Sequence, residues 1–290
     1  MTTLRALLAT LLLLASLLTG PTPARAAQSY HNCSGFIDTI PATITTQGTW
    51  CLRQDLTTAI TSGDAITIAT NNVTIDCNDF KVGGLQAGVG TNAVGIYAFN
   101  RLNATVRHCG IRGFYLGIEL TGAGSGGHLV EDNRFDGNTR IGLAVTGDGS
   151  LVQRNRVNTT GGSTFTPGIA YGIYTLYGVD ILDNSVDGVA PAANGGNGTA
   201  YGIDTDINLS GSLVANRVRG LAPLGTGFGY AIYNTNSGRI SLERNHVSGP
   251  GTNGMRCNNT SQGRAKNNII GGFTTGLTGC VDAGGNDIGP

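Results

Sequence analysis

Two markers recur along the chain, each setting a small or polar residue among apolar neighbours. One is the triplet Asn-x-apolar, at Asn78, Asn133, Asn155, Asn184, Asn216, Asn245, Asn267 and Asn286, with Cys109 filling the same slot. An apolar residue stands three positions before the triplet in nearly every copy, from Ile75 to Leu242, and Arg264 is the exception. The other marker lies between successive triplets as a Gly-apolar pair: Gly95-Ile96, Gly117-Ile118, Gly142-Leu143, Gly172-Ile173, Gly202-Ile203, Gly254-Met255 and Gly276-Leu277, with Ala231-Ile232 as the variant. Triplets follow one another at 19 to 32 residues, room for three short strands and three bends. Each repeat therefore reads as one turn of a coil. Stacked coils place equivalent residues about 4.8 Å apart. An asparagine in the same bend of every coil then hydrogen-bonds along the stack, which gives these residues a structural role and no catalytic one.

Composition agrees with strands and turns. Glycine supplies 47 of 290 residues and only 12% are charged, too much of the first and too little of the second for helices that must coat themselves with Glu, Lys and Arg. With 40% hydrophobic residues the chain is not disordered, and its glycines have no three-residue period, which excludes collagen. Residues 1–26 have the form of an export signal: Arg5, an apolar run from Ala6 to Leu18 too short to span a bilayer, then Ala24-Arg25-Ala26. Without Arg5 and Arg25 the balance is 16 basic against 18 acidic residues, a formal charge of −2. With Lys81 and Lys266 the only lysines, nucleic acid is not an expected partner.

The repeats, together with the entry segment from Ile66-Thr67-Ile68 through Val73-Thr74-Ile75-Asp76-Cys77-Asn78, resemble the right-handed parallel β-helix proteins of the pectin-lyase-like superfamily over residues 60 to 288. The resemblance implies an all-β solenoid of about eight to nine coils. It implies no one function, because that fold serves lyases, hydrolases, epimerases and adhesins. Residues 27–64 are expected to cap the first coil and residues 65–290 to form the helix. In an exported chain six cysteines suggest up to three disulfides. Cys33 and Cys51 share the cap. Cys77 and Cys109 occupy neighbouring slots as a second bridge or as two buried thiols, and Cys257 and Cys280 form a third pair, bridged or reduced.

Strand alternation assigns faces. If the residue after Gly points inward, the Gly and the residue after the pair point outward, giving the row Tyr97, Glu119, Ala144, Tyr174, Asp204, Tyr233, Arg256 and Thr278. Asp206 lies on the next outward row, and Tyr171, Tyr201 and Tyr230 take inward parity. Tyrosine rings flanking paired carboxylates suit a sugar, so polysaccharide is the expected partner, bound through Tyr97, Glu119, Tyr174, Tyr233 and Arg256. If the chain is an enzyme, Asp204 and Asp206 are its acid and base for hydrolysis or β-elimination; a structural or adhesive envelope protein is the remaining alternative. Three long, nearly uncharged loops, over 157–170, 187–200 and 219–229, fall on one side of the coil. His31, His108, His128 and His246 share no ligand spacing, so neither metal nor cofactor is expected.

Overall fold

The computed structural model describes residues 30–206, 210–235, 239–258 and 263–289. The export signal expected over residues 1–26 lies outside the described residues. Residues Asn32–Pro290 make one compact unit. It is an all-β parallel solenoid of about nine coils, and among the described residues the one helical element is the 3-10 turn Leu85–Ala87. No helix among the described residues is long and apolar enough to cross a membrane.

Each coil lays down three strands, and every strand pairs in parallel with its equivalent in the next coil. In the first stack Leu129–Glu131 pairs with Ser150–Gln153, and that strand with Val179–Leu182. In the second, Arg134–Asp136 pairs with Arg156–Gly161 and then Ser185–Ala190. Leu116–Thr121, Ile141–Thr146, Ile169–Leu176, Thr199–Asp206 and Gly229–Asn234 pair in turn in the third stack. The second and third stacks merge where the long strands His246–Cys257 and Ile269–Thr278 run through the bend. The segment 27–64 also contributes strands, Gly35–Ile37, Ala42–Ile44 and Gly48–Leu52, that pair in parallel with those of the coil below.

The marker residues form the core. Val130, Val152 and Ile181 point inward from the first stack, Phe135, Val157 and Val186 from the second, and Leu143, Ile173 and Ile203 from the third, all fully buried. Each such side chain contributes about 1.5–3 kcal/mol by leaving water. Disulfides Cys33–Cys51, Cys77–Cys109 and Cys257–Cys280 are all closed, so neither later pair is left as thiols.

The asparagine ladder fills the bend between the first and second stacks. Asn133, Asn155, Asn184, Asn216, Asn245, Asn268 and Asn286 follow one another, each Nδ2 donating to the next Oδ1 at 2.9–3.1 Å. The same Oδ1 accepts the backbone N–H of the preceding asparagine, and Nδ2 also reaches a carbonyl of the coil above, as Asn184 does to Val152. Two expected members are corrected. Asn267 is replaced by Asn268; Asn267 takes the left-handed position just before it, at φ 55°, as Asp132, Arg154 and Asp183 do in their coils. Asn78 is not in the ladder: it sits in a longer bend and donates to the Leu52 carbonyl, while the Cys109 N–H caps the ladder on Asn133 Oδ1.

Candidate functional site

The outer face of the third stack carries the expected row in the expected order. Tyr97, Glu119, Ala144, Tyr174, Asp204, Tyr233, Arg256 and Thr278 are successive partners across neighbouring strands. Asp206 pairs with Leu176 on the adjoining row.

Tyr171, Tyr201 and Tyr230 are corrected from the inward to the outward face. The pairing steps from Tyr171↔Tyr201 to Ile173↔Ile203 and passes over Gly172 and Gly202, so Gly and Ile are consecutive inward residues and the tyrosine before them returns to the outside. The glycine is inward for want of room. A Cβ on Gly172 would lie 2.4 Å from Val186 Cγ1 and 2.6 Å from the Gly202 carbonyl oxygen, a clash no rotamer relieves. Alternation by two fails where two consecutive residues face inward in both paired strands.

The correction enlarges the site. Five tyrosines from three consecutive coils form one aromatic surface, with ring centroids 4.8 Å apart for Tyr171–Tyr201, 5.2 Å for Tyr201–Tyr230, 4.8 Å for Tyr230–Tyr233 and 5.2 Å for Tyr171–Tyr174. Arg256 closes one end, its guanidinium 5.6 and 5.5 Å from the rings of Tyr230 and Tyr233 and donating to the Tyr230 hydroxyl at 3.3 Å. Toward the other end Arg140 lies over Tyr115 and donates to its hydroxyl.

Asp204 lies beneath this surface. Its residue is 4% exposed, and its Oδ1, like that of Asp206, has no hydrogen-bond partner. Burial first, then the Asp206 charge, push its carboxyl up to about 7, against the Thr205 N–H, which lowers it. Burial and then the Asp204 charge also raise the hydroxyls of Tyr171, to about 12, and of Tyr174. Nearer the N-terminal end Glu119 is raised by burial and then by Asp64.

The long loops border the face. Loops 162–168, 191–198 and 222–228 stack through Gly168 N–H to Ala192 O, at 2.7 Å, and Thr226 N–H to Asn197 Oδ1, also 2.7 Å. Phe165 reaches from the first of them onto Tyr115, edge to face at 5.4 Å, and Phe228 from the third onto Tyr230 at 5.6 Å. Phe165, Glu119, Arg140, Ala144, Tyr171 and Tyr174 line an open cavity of about 410 Å³. Loops and tyrosine row thus share one side of the solenoid. Sequence reasoning missed Arg140, Tyr115 and Phe165, which lie outside the repeat markers. Among the described residues no group of three or more His, Cys, Asp or Glu could hold a metal ion.

No family model matches the sequence, and no curated protein matches it. Among solved structures, pectate lyase Pel9A superposes with TM-score 0.61 at 13% identity, covering 78% of this chain and 62% of its own. Dettilon tailspike protein gp208 superposes with TM-score 0.49 at 14% identity, covering 88% of this chain and 60% of its own. The chain thus spans less than two thirds of the length of either. Parallel stacks, an asparagine-lined bend and the superposition on pectate lyase Pel9A establish the fold: the chain is a right-handed parallel β-helix.

Proposed function

We propose that this is an exported protein that binds polysaccharide along the outer face of the third stack. The observation that carries the reading is the aromatic surface of Tyr171, Tyr174, Tyr201, Tyr230 and Tyr233, whose rings repeat at the strand spacing and are bordered by loops on one side. The rings lie against one another, so the surface they offer is one of ring edges and hydroxyls, an alternation of apolar and polar atoms that matches a pyranose. A neighbour in fold named as a pectate lyase gives the reading a precedent on the same architecture. Three disulfides suit an exported chain. Electrophoresis through gels cast with individual glycans tests it. Retardation in at least one glycan, abolished by Tyr174→Ala with Tyr233→Ala, is expected; unchanged mobility in every glycan refutes binding and leaves a rigid spacer.

One observation favours a catalytic version of the same site. An Asp204 carboxyl held near 7 can be protonated at neutral pH, as a general acid must be, with Asp206 on the same strand to serve as base. Release of reducing ends or of unsaturated uronates from a glycan panel, lost in Asp204→Asn and Asp206→Asn, supports it. Cleavage at full rate by both variants places the chemistry elsewhere.

A further inference from the structure

Among the described residues the carboxylates at the middle of the tyrosine face have no counter-ion of their own. Asp204 faces Tyr174 on one side and Tyr233 on the other, and Asp206 faces Leu176. The two cations on this face are engaged with rings and hydroxyls: Arg256 with Tyr230 and Tyr233, Arg140 with Tyr115. Neither pairs with a carboxylate among the described residues. The chain pairs acids where it can, as Arg154 does with Asp132 at 2.7 Å and Arg219 with Asp187 at 2.7 Å. Among the described residues only here does it bury an acid without a partner oxygen or nitrogen for Oδ1.

A buried, unpaired carboxylate is costly, and a partner that brings a positive charge offsets that cost. The surroundings suit a cation as well. Tyrosine hydroxyl oxygens accept hydrogen bonds from a cation, as the Tyr230 hydroxyl does from Arg256 at the end of this stack. A polyuronate would bring further negative charge to two carboxylates. A neutral glycan would donate hydroxyls to them and bring no charge.

Resting on the polysaccharide reading above, we propose that the ligand is a polymer of amino sugars with free amines, its pyranose rings lying on Tyr171, Tyr174, Tyr201 and Tyr233 and an ammonium group seated against Asp204 and Asp206. The rings give affinity for any glycan of suitable shape; the two carboxylates select the amine. An N-acetylated polymer keeps the ring and loses the charge, so it isolates the second contribution.

The test is titration calorimetry of the whole protein with four oligosaccharides of matched length: polyglucosamine, its N-acetylated form, a neutral glucan and polygalacturonate. A lysine oligopeptide is the fifth ligand. Polyglucosamine is expected to bind about tenfold or more tighter than its N-acetylated form, weakening as salt is raised, and Asp204→Asn with Asp206→Asn should bring the two to equal affinity. Equal affinity of the parent protein for both forms, or preference for polygalacturonate, overturns amine selection while leaving polysaccharide binding intact. Failure of every glycan to bind defeats the underlying reading instead. Lysine peptide bound as tightly as polyglucosamine overturns the sugar and leaves a bare cation site. Because the parent protein alone decides between these outcomes, a variant that misfolds does not blunt the test.

Discussion

Buried polar side chains stand in two repeating slots of this solenoid, the asparagines at the bend between the first and second stacks and Asp204 in the row on the face of the third. In the ladder from Asn133 to Asn286 each amide donates to the next, and each Oδ1 accepts both a side-chain and a backbone N–H. On the face, Asp204 is buried to 4% exposure with Oδ1 unpartnered. A satisfied row stabilises the fold; an unsatisfied one costs stability and persists for another reason. That contrast separates structure from candidate function more sharply than residue type does, since Asn and Asp are nearly the same size and shape and each stands in a repeating slot.

The largest expected effect breaks the satisfied row in its middle. Asn184→Ala strands the Asn155 N–H, takes the ladder acceptor from the Asn155 Nδ2 and removes a donor from the Val152 carbonyl and from the Asn216 Oδ1, and should destabilise by about 4 kcal/mol, against about 1–2 kcal/mol for Asn286→Ala at the half-buried end. Midpoints of urea unfolding give both values. Equal losses at the two positions would mean that the ladder does not act as a chain.

Next in size is a pH effect in which the unsatisfied row opposes a buried histidine. Asp204 has its carboxyl raised from 3.8 to about 7, so the folded chain holds a proton that the unfolded chain releases, and stability falls by roughly 4 kcal/mol as pH rises across that window. His128 accepts the Ala104 N–H at Nδ1, and its Nε2 is buried without a partner. Burial lowers it from 6.5 to about 4, so its neutral form is the folded one and roughly 3 kcal/mol is lost as pH falls through that range. In the parent chain the two slopes offset each other. Asp204→Asn should leave a protein that weakens in acid, and His128→Asn one that weakens toward neutrality. Parallel stability profiles for the two variants would refute the assignment.

How much of this the sequence carries depends on what each feature rests on. Core and coil were legible because the Asn triplet and the Gly-apolar pair mark fixed points of every turn. The ladder slip at Asn267 was legible too, since the Arg264 exception disappears once Asn268 is the member and the buried Ala265 stands three residues before it. The order of Tyr174, Asp204, Tyr233 and Arg256 on the face followed from alternation within one strand. Alternation fails at Gly172 and Gly202, where the backbone faces inward against the Cγ1 of Val186 and of Val218, in strands of the second stack. Tyr171 and Tyr201 were therefore assigned the wrong side. The burial of Asp204 beneath the rings, the meeting of Phe165 with Tyr115, and the place of Arg140 all depend on packing between coils, which no local pattern encodes.

The smallest expected effect comes from a third kind of polar row, the ion pairs of the solvated face. Arg154 reaches Glu131 at 2.6 Å and Asp132 at 2.7 Å across coils, with nearly half of its side chain exposed. Water screens such pairs, so Arg154→Ala should cost at most about 1 kcal/mol and less as salt is added. A loss as large as that of Asn184→Ala, unaffected by salt, would show the pair to be held as firmly as the amide ladder. A small, salt-sensitive loss keeps the distinction between the rows: full hydrogen bonding and burial together give the ladder its strength, burial without a partner marks Asp204, and Arg154, with partners but little burial, contributes least.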